Sequence, residues 1–110
     1  MTVIVDELDI ADPADVWTRA GFSIGADSIC RIGGVRIRMA GRERGTGVIG
    51  WSLRGLPDDV DRLDGVPTAR SDTGSVAPAV HANGVMAIDH VVLLSPDLHR
   101  TVESFAGVGL

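Results

Sequence analysis

The sequence predicts an α+β fold, and three observations carry that prediction. Residues 2–11 and 28–39 alternate apolar and polar side chains with the period of two that a half-buried strand requires. Asp12-Pro13 and Ser95-Pro96 each place a capping oxygen beside a proline, the combination that opens a helix. A strongly apolar run over 85–94 begins again after a stretch with no period at all.

Taken in order, 2–11 is a strand with Ile4, Leu8 and Ile10 on one face and Val3, Val5, Glu7 and Asp9 on the other. Asp12 caps, and Pro13 begins, a short helix through Val16, Trp17 and Ala20 that stops at Gly21. Residues 28–39 form a hairpin whose Gly33-Gly34 pair supplies the positive φ of a two-residue turn. Beyond that turn Val35, Ile37 and Met39 alternate with Arg36 and Arg38, one face buried and one wet. A glycine-rich turn over 41–47 leads to the strand Val48-Ile49-Gly50-Trp51-Ser52-Leu53, so that 1–56 runs β-α-β-β-β. Residues 57–84 contain Pro57, Pro67 and Pro78 and read as a linker, with a helical turn over 58–63. Residues 85–94 read as a strand, and a helix from Leu98 to about Ala106 follows, stopped by Gly107 and Gly109.

Composition narrows the function. The 110 residues are 45% apolar and 23% charged, which suits one folded domain with a modest core. A net charge of -5 and four aromatic residues argue against nucleic acid and anionic membrane as partners. All ten basic residues are Arg, so lysine Schiff-base chemistry and a Walker-type phosphate lysine are excluded. Cys30 stands alone, which removes an internal disulfide and a cysteine zinc cluster. The acidic start, Met1 to Glu7, lacks the basic segment of a signal peptide, and no apolar run has transmembrane length. The expected compartment is the cytoplasm.

The strand and capped helix at 85–110 repeat those at the start. Val5-Asp6-Glu7-Leu8-Asp9-Ile10-Ala11-Asp12-Pro13 lies over Ile88-Asp89-His90-Val91-Val92-Leu93-Leu94-Ser95-Pro96, with Asp6/Asp89 and Pro13/Pro96 in common. The segment Ala87-Ile88-Asp89-His90-Val91-Val92-Leu93-Leu94-Ser95-Pro96-Asp97-Leu98 resembles the opening of a module of the vicinal oxygen chelate superfamily, which holds glyoxalase I, bleomycin-resistance proteins and extradiol dioxygenases. The resemblance implies β-α-β-β-β modules with a curved mixed sheet, two of which form a cup. It implies one such module over 1–56, a linker over 57–84, and over 85–110 the β-α start of a second module that lacks its last three strands. A strand left with incomplete neighbours is expected to pair with the first sheet, to form a homodimer, or to belong with a missing C-terminal half.

The resemblance also makes His90 a ligand for a divalent metal (Fe, Mn, Ni or Zn), with Glu7 at the matching place of the first module. The superfamily's further carboxylate, from the last strand of a module, has no counterpart in 47–53. The competing readings are a structural His90 and an Arg-paired Glu7. Trp51 either lines the cup as a stacking surface for a ligand or packs in the core. His81 and His99 read as exposed, and Cys30 as a small buried hydrophobe. The Arg31, Arg36, Arg38, Arg42 and Arg44 cluster reads as a wet sheet face or an anion site. Three functions remain open: a metal-dependent lyase, isomerase or dioxygenase acting on a small oxygen-rich substrate; a metal-free module that sequesters a small molecule; and a non-catalytic half that only assembles. Catalytic residues are not readable.

Overall fold

The computed structural model describes residues 3–57, 59–71 and 77–110. It is a compact α+β domain in which one mixed sheet of six strands carries two helices. The strands are β1 (Ile4–Ile10), β2 (Ile29–Ile32), β3 (Val35–Met39), β4 (Val48–Arg54), β5 (Arg62–Leu63) and β6 (Val66–Arg70), and the helices are α1 (Ala14–Arg19) and α2 (Leu98–Ala106). A single 3-10 turn, Arg42–Arg44, precedes β4. The sheet order is β2-β3-β1-β4-β6-β5. β1 is parallel to β3 and antiparallel to β4, and β4 is parallel to β6.

Local chemistry explains most boundaries. The Gly33-Gly34 turn joins β2 to β3, and Gly33 has φ 57°. Asp12 accepts a bond from the Trp17 indole at 2.9 Å instead of capping the backbone of α1. Asp97 does cap α2, accepting from the Arg100 amide at 3.1 Å. Of the residues in the expected linker, 62–70 form a hairpin that extends the sheet. Its turn is Asp64-Gly65, with φ 49° and 84°, the doubly positive pair that a tight hairpin needs. Leu63 therefore lies in a strand and not in the helical turn expected over 58–63; Asp58 of that turn lies outside the described residues.

The alternation of β1 breaks once. Val5 lies opposite Leu53 but Glu7 lies opposite Ser52, so Asp6 is the extra residue of a bulge. The bulge corrects the facing expected from simple alternation. Val3 is buried, Ile4 is exposed, and Val5 joins Leu8 on the apolar side. Asp6 is 2% exposed and is held by Arg54 through two bonds of 3.0 and 2.6 Å. Burial pushes its carboxyl up, but the bonds from Arg54 and Ser71 outweigh that and hold it below its ordinary value.

One sheet face is apolar. Leu8, Ile10, Cys30, Ile32, Ile37 and Met39 form its main cluster, against which Trp17 and Phe22 pack. A second cluster, Val3, Leu53, Leu56 and Leu63, meets Phe105 and Val108. The other face is ionic. Glu7 lies opposite Arg36 and bonds to it at 3.2 Å; Asp9 lies opposite Arg38 and bonds to it at 3.0 Å.

The strand expected over 85–94 is absent. Those residues contain no turn or bend, yet they join no ladder. The reason lies in the segment before them, which takes up the outer edge of β2. The Arg31 carbonyl accepts from the Ala79 amide at 3.2 Å and meets His81 Nε2 at 2.8 Å. Asn83 then closes on Gly21 and Ala20, so near that a Cβ on Gly21 would stand 2.8 Å from that of Asn83. The chain next passes Gly33, where Met86 and Ala87 lie against its backbone, and Val85 and Ile88 pack on the apolar cluster. It runs over the sheet as a strap. α2 is moored beyond it by Asp64, which accepts from Arg100 at 2.7 Å and from the Thr101 hydroxyl.

Candidate functional site

The strap and α2 do not close on the sheet. Between them lies a cavity of about 580 Å³, within the size range of small-molecule sites. Its floor is Val5, Leu8, Val35, Trp51 and Val66, one or two residues from each of four strands. The strap supplies Ile88, Asp89, His90, Val91 and Leu93, and the helical side supplies Val102, Phe105, Ala106 and Leu110. Every lining residue except Asp89 and His90 is apolar.

Trp51 lines the floor of this cavity and also packs against the buried clusters. Its β4 position puts it between Leu8 on β1 and Thr68 on β6, and its ring faces Phe105 at 5.9 Å between centroids, tilted 56°. The indole N–H donates to Thr68 Oγ1 at 2.8 Å, and that hydroxyl donates to the Val66 carbonyl at 2.9 Å. The ring is thereby fixed in orientation before any ligand arrives. Rigid aromatic surface of this kind binds flat apolar molecules at little entropic cost.

His90 and Glu7 are not brought together. His90 is on the strap, exposed, with Nδ1 2.6 Å from Asp89 Oδ2. Glu7 points to the ionic face, beside Arg36 and 3.8 Å from Arg38, while its neighbour Leu8 points into the cavity. The register explains it, because Arg36 stands directly across from Glu7 and neutralises it where it lies. Burial and the neighbouring Asp9 raise the Glu7 carboxyl above its ordinary value, against the pull of Arg36. Among the described residues no three of His, Cys, Asp and Glu are grouped closely enough to hold a metal ion. As placed, His90 and Glu7 do not make a shared donor set for the metal that the resemblance implied.

The remaining candidates separate cleanly. His81, expected to be exposed, is 4% exposed. Its Nδ1 accepts from the Ser23 amide at 2.9 Å and its Nε2 meets the Arg31 carbonyl, so it staples the strap to β2. His99 is exposed and pairs with Glu103 one turn on, at 3.0 Å. Cys30 is fully buried and burial pushes its thiol up, so it is an inert core residue. Arg31 pairs with Asp27 at 2.7 Å, and Arg36 and Arg38 are matched to Glu7 and Asp9, so three of the five arginines of the basic cluster are salt-bridged, while Arg42 and Arg44 lie in the 3-10 turn. A smaller hollow of about 260 Å³ on that side is lined by Asp9 and Arg38, which occupy each other.

Phe105, Val102 and Leu110 were not singled out in the sequence. Val102 and Phe105 stand three apart on a helix, which places them on one face, and that spacing was the available signal. No helix among the described residues is long and apolar enough to cross a membrane. Compared with family models, with curated proteins and with solved structures, the chain matches none.

Proposed function

We propose that this chain is a small-molecule-binding module of the vicinal oxygen chelate type, which sequesters a flat apolar compound between the sheet and the strap. The observation that carries the reading is the cavity of about 580 Å³ with Trp51 and Phe105 in its walls. Support for the module comes from the order β1-α1-β2-β3-β4 over residues 4–54. Binding proceeds without a metal, because His90 and Glu7 serve Asp89 and Arg36 instead of a shared ion. Apolar surface leaving water supplies the affinity, on the order of 25 cal/mol per Å² of it buried. The reading is one of retention, carried by the apolar lining of the cavity.

The test uses the neutral fluorescent probe N-phenyl-1-naphthylamine. Its emission should rise saturably, at one probe per chain, and EDTA should leave the titration unchanged. Val102→Asp puts a charge into the wall at a position exposed enough to leave folding intact. It should weaken the probe by roughly tenfold through the cost of desolvating the new carboxylate. Absence of saturation, or full affinity in Val102→Asp, overturns the proposal.

A further inference from the structure

The cavity's few polar groups say what kind of apolar molecule it takes. Two side chains at its lining carry an N–H. That of Trp51 is spent on Thr68 at 2.8 Å, and Nδ1 of His90 lies 2.6 Å from Asp89 Oδ2. At the mouth stands the Asp89 carboxylate, an acceptor. The strap's backbone offers donors and acceptors alike and so does not discriminate by charge. Asp89 is also the one carboxylate among the lining residues, and the chain as a whole carries -5.

We infer that the site selects a cationic amphiphile, an aromatic or alicyclic body seated against Trp51 and Phe105 with a protonated amine at the mouth. The inference rests on the binding function proposed above and adds the ligand's charge to it. An ammonium group pairs with the Asp89 carboxylate. A carboxylate there meets Asp89 as a like charge. The size of the preference follows from exposure. Asp89 is 95% exposed, so the pairing is that of a solvated ion pair, worth a few-fold and reduced by salt.

Three probes of one shape test this: 2-(1-naphthyl)ethylammonium, 2-(1-naphthyl)ethanol and 1-naphthylacetate, titrated calorimetrically at low ionic strength. The ammonium should bind about threefold more tightly than the alcohol, and the carboxylate more weakly than the alcohol. Asp89→Asn should erase the gap between ammonium and alcohol while leaving the alcohol's affinity as it was. Equal binding of all three, tightest binding of the carboxylate, or a preference that survives Asp89→Asn overturns the ligand class and leaves the binding site standing. If none of the three binds, the site itself is refuted and the ligand class with it.

Discussion

The strands among the described residues of 4–70 are joined by five pairings, and their buried side chains form two apolar clusters. Residues 79–110 are attached differently. Five backbone and side-chain bonds at Ala79, His81 and Asn83 hold the near end of the strap, Asp64 holds α2, and between these anchors the strap lies on the sheet by apolar contact. Val92, Leu94 and Leu98 are left facing water. The sheet is thus a stable floor and the strap a wall with its own, lower, opening free energy. A cavity bounded by two such parts admits a ligand without unfolding the domain.

Substitutions can sharpen or break that contrast. The largest effect is expected at Leu53, which is 0% exposed. Leu53→Ala should cost about 4 kcal/mol in urea unfolding, whereas Leu94→Ala, at 90% exposed, should stay within about 0.5 kcal/mol. Comparable losses at both positions would erase the distinction between floor and wall. Next comes the buried pair on β1 and β4. Arg54→Ala removes the paired cation from buried Asp6, leaving it the Ser71 bond, and should cost about 3 kcal/mol.

The pH dependence of that pair has a definite sign. The Asp6 carboxyl is lowered by its bonds, so its contribution is in place above the ordinary carboxyl value and is lost as pH falls through the lowered one. Glu7, which is raised, works the opposite way. It favours the folded chain below the ordinary value and loses that advantage as pH rises through the raised one. Asp6→Asn should therefore flatten the acid limb of the stability profile, and an unchanged limb would show that Asp6 does not govern it. A loss smaller than those at Leu53 and Arg54 is expected at the strap's staple. His81→Ala leaves the Ser23 amide and the Arg31 carbonyl without their ring partner, at about 2 kcal/mol. Amide exchange should accelerate at Ala79 and Asn83 before it does in β1 or β4; uniform acceleration would mean that strap and sheet open together.

Much of the floor was legible. Alternation around Arg36 and Arg38 located β3 and its buried face, the glycine pair located the turn, and the apolar Trp51 segment located β4. The hairpin over 62–70 was overlooked although Asp64-Gly65 is its signal, because Pro67 and the short strands hid the alternation. Trp51, named in the sequence as either a ligand-stacking surface or a core residue, lines the cavity. The metal pair was not assembled, since a residue's neighbours across a sheet depend on register: Arg36, twenty-nine positions away, faces Glu7.

Local periodicity and turn chemistry, acting over a few residues, determined the α+β class and the elements of 4–54, while composition alone excluded an internal disulfide and lysine chemistry from these 110 residues. Only the tertiary structure decided that 85–94 is a strap, that His81 is interior, and that an apolar cavity stands over Trp51. An extended apolar run has the same appearance in sequence whether or not an edge is free to receive it. Here the edge of β2 is occupied by Ala79 and His81, and that occupation is a long-range fact with no local signature.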